Sequence, residues 1–270
     1  MAYEAVERQA DYMVARKHGL FLWRKWNSFL PLIFAAEIFF FCSLTALRHS
    51  EGHLTKGQAA GVYSLCAMLT IWGVVATLMT NAGWFSSDAV LKTFPGFWIP
   101  ALPLLVIALG MSSEDARIGM VRIVQWSRPS WFVGLQCVRV LAIGSLVKWH
   151  QGLFPPILAK FVAIPDTIYG FSALVMLMLE LSEDVEVTKQ AYIVWNVLGI
   201  LAVWPVGCFA ISADMPGPLQ ILRTQFPPNL VVLQLPLALG PLLVVPILLG
   251  TNLLVACVYY WEEGKERSVF

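Results

Sequence analysis

"LQCVRVLAIGSLV", residues 135–147, is an apolar run with an arginine, Arg139, set in its middle. The run extends over about residues 130–149, and about 20 mainly apolar residues are what a helix needs to cross a bilayer. An arginine at the centre of such a helix costs roughly 2.5–3.5 kcal/mol on insertion scales, so it faces protein and finds a partner. This stretch therefore predicts an all-α, polytopic bundle of transmembrane helices, with an acid elsewhere placed to meet Arg139.

The same ruler applied along the chain gives seven spans, at about 27–47, 59–81, 96–112, 130–149, 157–180, 191–212 and 236–261. The third is short and carries Pro100 and Pro103. The last belongs to a nearly apolar run of residues 230–261, too long for a straight crossing. Pro236, Pro241 and Pro246 predict a kinked helix there, or a surface segment feeding a shorter span. Most tryptophans (Trp23, Trp26, Trp84, Trp98, Trp126, Trp131, Trp149, Trp261) fall at span ends, as an interfacial aromatic belt requires.

Composition agrees. Of 270 residues 58% are hydrophobic and only 13% charged, against roughly 25% charged in soluble domains; mean hydropathy is +0.70. A net charge of +1 leaves no footprint for nucleic acid. The five cysteines all lie inside apolar runs without CxxC spacing, as small buried side chains rather than disulfide or metal partners.

Residues 1–26 form a polar arm in which Tyr3, Val6, Ala10 and Met13 recur at helical spacing, predicting an amphipathic helix on the membrane surface. Residues 262–270 read as a short polar tail, and the acidic loop 181–190 as a solvated turn. Basic residues divide almost evenly between the two sides. Five precede the first span (Arg8, Arg16, Lys17, Arg24, Lys25) and two follow it (Arg48, Lys56), which leans the N-terminus inward. A bacterial cytoplasmic membrane or an organellar inner membrane suits such a chain.

Four ionisable residues fall within spans: Glu37, Arg139, Asp166 and, near an end, Glu180. Gln136 and Arg139 share one helix face. In "PDTIYGFSA" Asp166, Tyr169, Gly170 and Ala173 line another, small enough to admit a neighbouring helix. The short loop "HQGLFPP" makes these two helices antiparallel. Arg139 lies about nine residues before one ends and Asp166 about nine after the next begins, each roughly 13 Å from the same interface at ~1.5 Å per residue. An Arg139–Asp166 contact follows, and Pro165 frees a backbone carbonyl four residues earlier. Tyr169, Asn196 and Glu37 are further candidates for a polar cluster, Asn196 as a hydrogen-bonding group between helices.

Several chemistries find no support in the sequence. The four histidines sit at span ends or in loops, so facing intramembrane haem ligands are not offered. His49 and His53 would hold a metal only on a helix, whereas "RHSEGHLTK" contains Gly52 and reads as a loop. The last span has no lysine for a Schiff base, and no GxSxG, HExxH or phosphate-cradling glycine loop occurs. The expectation is a protein without catalytic residues, cofactor or metal.

Residues 131–260 resemble an uncharacterised family of bacterial integral membrane proteins. "WFVGLQCVRVLAIGSLV" is similar to its arginine-bearing helix, and "GLFPPILAKFVAIPDTIYGFSA" to its Gly-Asp-x-x-x-Gly helix. "WNVLGILAVWPVG" is similar to its Trp-Asn-x-x-Gly helix, and "PGPLQ…LQLPLALGPLLVVPILL" to its proline-punctuated end. The resemblance carries the family's arginine onto Arg139, and its aspartate and second glycine onto Asp166 and Gly170. Pro165 replaces a family glycine, Ala202 stands where an aspartate is usual, and Gly250, Thr251 and Asn252 stand where a histidine is. It implies no substrate or cofactor. Two readings result: an accessory or scaffold subunit packed among other membrane-protein subunits in the lipid bilayer, or a small polar solute transporter or binding protein built on Arg139 and Asp166.

Overall fold

The computed structural model describes residues 29–93, 95–182, 187–213, 215, 220–221 and 227–267. The amphipathic arm expected over residues 1–26 lies outside them. The described residues are helical, without a strand. Six helices are long and apolar enough to cross a membrane: α1 (Phe29–Ser50), α2 (Lys56–Asn81), α5 (Pro129–His150), α6 (Pro156–Leu181), α7 (Lys189–Ser212) and α8 (Gly240–Glu262). Between α2 and α5 lie α3 (Pro95–Gly110) and α4 (Glu114–Trp126), bent by 102° at their junction. The chain is thus a multi-pass helix bundle, as its hydropathy requires.

Local signals place the ends. Thr55 opens α2 with a capping box, its side chain accepting from Gln58 N while the Gln58 side chain accepts from the Thr55 N–H. Ser113 and Thr188 cap α4 and α7 in the simpler way. Gly52 (φ +81°) and Gly152 (φ +71°) make the tight turns after α1 and α5, where a side chain would be strained. His49 lies in the last turn of α1 and His53 in the turn that follows, so the two do not share one helix, and His53 stacks on Trp126 at 4.0 Å.

The expected third span is α3, whose 16 residues reach about 24 Å at ~1.5 Å each. Alone it is too short to be one of the six crossings, and its two ends pack on α7 and α2. A side chain added at Gly96 would strike Cys208 O and Ser212 Oγ near the end of α7, and one at Gly110 would strike Leu65 of α2. Helix α4 then folds over the opposite end of α2, where Gly61 packs against the backbone of Ala116 and Gly119 against Val62. Glu114 and Arg117 of α4 are exposed, whereas the Asp115 carboxylate lies against Gly57 of α2. Small residues let these backbones approach closely, which substitutes for the hydrophobic drive that lipid does not supply.

The long apolar run before the C-terminus divides as one of its two expected forms. Residues 227–239 are a packed, mostly buried segment with a 3-10 turn at Asn229–Leu233 and a cis Leu235–Pro236 bond. Helix α8 follows as the central helix, with 72% of its apolar window buried against 22–39% for the other five crossings. It begins with a π turn at Gly240–Val244. Pro246 cannot donate to the carbonyl four residues back, and that carbonyl, Leu242 O, accepts from Trp72 Nε1 at 3.0 Å instead. The last helix continues through the first residues of the polar tail, to Arg267.

The Gly61 contact yields a test. A Cβ there would lie 2.5 Å from Ala116 N, whereas at Gly134 it would meet nothing within 4 Å. Gly61→Ala is expected to cost about 1–3 kcal/mol through forced backbone shifts and to lower the midpoint of thermal unfolding in detergent. Gly134→Ala is expected to leave the midpoint unchanged or slightly raised.

Candidate functional site: an ion pair in the wall of an intramembrane cavity

Arg139 sits where α5 departs from α-helical geometry, in the 3-10 stretch Cys137–Ala142. Its Nε lies 2.8 Å from Asp166 Oδ1, with both side chains buried. The partner predicted from matched depth is therefore the partner found. Asp166 stands three residues beyond the π turn Ala159–Ala163, directly after Pro165. The π turn and the proline belong together, because the missing N–H of Pro165 already interrupts the regular ladder of α6.

The small-residue face of α6 does what its spacing implies. A side chain at Gly170 would stand 2.4 Å from Val140 N, so the backbone of α6 rests directly on the 3-10 stretch that carries Arg139. Asp166, Tyr169, Gly170 and Ala173 are all buried in that contact. The Tyr169 ring lies under the guanidinium, 4.5 Å from Cζ to centroid, and stacks on Trp195 of α7 at 4.7 Å. Trp195 Nε1 donates to Ser172 Oγ at 3.0 Å.

A third helix reaches Arg139 through its backbone. Helix α7 breaks between Leu201 and Trp204, just before Pro205. There Val203 N–H turns to Ile200 O, so Gly199 O accepts from both terminal nitrogens of Arg139 at 3.3 and 3.4 Å. Helix α8 is tied to the same place by Gln136 Nε2, which donates to Leu248 O at 3.2 Å. Four crossings thus meet at residues 136–139. A planar fork of donors serves such a junction better than a point charge does.

Two of the sequence candidates stand differently from expectation. Asn196 is buried, but its Nδ2 donates to Tyr192 O one turn back on its own helix rather than across to another. Glu37 is buried with neither carboxyl oxygen hydrogen-bonded to a described residue. It lies one turn from the edge-on contact of Phe40 with Phe132, hence near the depth of Gln136 without joining the ion pair. Conversely, Asn252 of α8 belongs to the polar core. Its Nδ2 and the Tyr169 hydroxyl both crowd the Cα of Gly199, and its side chain is fully buried. A lone amide inside an otherwise apolar span was the signal for it. Gly199 acts through its carbonyl, for which Pro205 downstream was the only trace.

Beside the ion pair lies a cavity of about 410 Å³, within the range of roughly 300–1,000 Å³ typical of small-molecule sites. Arg139 and Asp166 form part of its wall, and among the described residues they are the only charged ones there. Ser145, Trp204 and Cys208 add the few other polar atoms, and the remainder is aliphatic, aromatic, glycine or proline. Each of the three irregular turns contributes to it: Leu141 from the 3-10 stretch, Val162 from the π turn of α6, and Pro241 from the π turn of α8. Among the described residues no three His, Cys, Asp or Glu side chains gather closely enough to hold a metal ion.

The pair's energetics are testable through its halves. Arg139→Met alone, or Asp166→Leu alone, strands a buried charge and is expected to lose about 3–5 kcal/mol of stability; the double substitution is expected to recover most of it. Thermal unfolding of the four proteins in one detergent measures this, and additive losses would contradict it. Comparison of the chain with family models, with curated proteins and with solved structures finds no match.

Proposed function

We propose that this integral membrane protein binds a small lipophilic molecule in the cavity beside Arg139 and Asp166. The observation that carries the proposal is the convergence of three helix irregularities and a buried ion pair on one pocket. Packing alone favours regular helices, and irregular turns recur where a helix must open toward a ligand. The apolar walls also change the expected cargo. A small polar solute would surrender its hydration to aliphatic side chains, whereas a molecule with a hydrocarbon body and one polar group suits this lining. Whether binding serves transport, delivery or sensing follows from what the ligand is.

The accessory-subunit reading uses the exposed apolar faces of the crossings but gives the cavity no role. Purification in a mild detergent separates the two. The binding reading expects one amphiphile to be extracted from the wild-type protein at near-unit stoichiometry. Gly240→Leu should retain far less, since the glycine lines the cavity and a Cβ there meets open space. A fixed set of other membrane subunits, with no amphiphile retained by either protein, would support the scaffold reading instead.

A further inference from the structure

Resting on the cavity as a binding site, we infer that its ligand carries a neutral hydrogen-bond donor, a hydroxyl above all, and reaches the cavity from the bilayer rather than from water. The first part comes from which half of the ion pair is accessible. The Arg139 side chain is 1% exposed and that of Asp166 12%. The guanidinium is covered by Tyr169 and occupied by Asp166 and Gly199 O. What the pair presents is therefore carboxylate oxygen, an acceptor.

Charge then selects among donors and acceptors. A carboxylate or phosphate head would meet a like charge, with the compensating guanidinium shielded behind it. An ammonium head would compete with Arg139 for the one carboxylate and leave an excess positive charge in an apolar enclosure. A hydroxyl donates to Asp166 without disturbing the balance, and Ser145 on the same wall offers a second partner.

The route follows from what closes the other sides. Residues 227–239 cover the end of the cavity nearest the interface at which α1 begins. Val232 and Leu237 line it, while Leu233 and Ala238 are buried beneath. Asn229, fully buried, pins this cover to α7 by donating to Ala210 O and Ile211 O at 2.5 and 3.1 Å. Among the described lining residues, those that remain open are Phe29 and Leu141, each 52% exposed and each on an apolar crossing. The mouth therefore faces hydrocarbon.

The test uses the full protein in lipid nanodiscs and four photoreactive probes. Three share one long diazirine-bearing alkyl chain and end in a hydroxyl, a carboxylate or a primary ammonium; the fourth is a short-chain, water-soluble alcohol. Saturable labelling of residues 29–33 and 138–145 is read by mass spectrometry. The expected result is labelling by the long-chain alcohol at a concentration roughly ten-fold or more below that of the charged probes. Gly240→Leu, checked for unchanged elution and melting, should abolish it, and the short alcohol should fail. Equal or better labelling by a charged probe would overturn the donor assignment while leaving the binding site standing. Equal labelling by the short alcohol would overturn entry from lipid. Saturable labelling by none of the four would overturn the binding function together with this inference.

Discussion

The guanidinium of Arg139 sets the terms for the rest of the bundle. A positive charge at mid-depth in lipid cannot be left to itself, and here it is answered three ways: by a carboxylate on α6, by a backbone carbonyl on α7 and by the face of an aromatic ring. Each answer constrains a helix. The carboxylate fixes the depth of α6, Gly170 fixes how near α6 can come, and the carbonyl is free only because α7 breaks ahead of Pro205. Replacing such a pair with apolar side chains is often neutral or stabilising. Its presence is therefore better explained by what stands next to it than by stability alone.

What stands next to it is space. Four crossings leave regular α-helical geometry close to the pair, and at three of them a proline accounts for part of the departure: Pro165 after one π turn, Pro241 within the other and Pro205 at the break in α7. The 3-10 stretch at Cys137–Ala142 has no such local cause in the sequence. It is where the backbone of α6 presses closest, at Gly170, so tertiary contact rather than propensity shapes it. The same residues thus hold the bundle together and keep part of it open, with polar groups on one wall and hydrocarbon on the others.

Much of this was legible in the sequence because lipid is a strict solvent. Apolar run length alone locates the crossings, since every one must bury its backbone polar groups internally. Arg139 and Asp166 could be paired by counting residues from a shared turn, because antiparallel neighbours convert sequence distance into depth. The cavity was not legible. It depends on side chains from α1, α3, α5, α6, α7 and α8 together, and no periodicity within one helix encodes that. Asn196 illustrates the limit at a single residue: its position identified a buried amide, but not that the amide turns back on Tyr192 O. Glu37 shows the same limit, being buried as its rarity in a span implies yet separate from the pair.

The claim on which everything rests is that Arg139 acts as a fork joining several helices, and not merely as a charge. Arg139→Lys keeps the charge and removes the fork, so its thermal unfolding in lipid nanodiscs is the most direct measurement. The account predicts a clear loss, about 2 kcal/mol or more, because a single ammonium cannot serve Asp166 and Gly199 O in the same geometry. A lysine variant as stable as the wild type would show that any cation suffices at that position, and the junction described here would not exist.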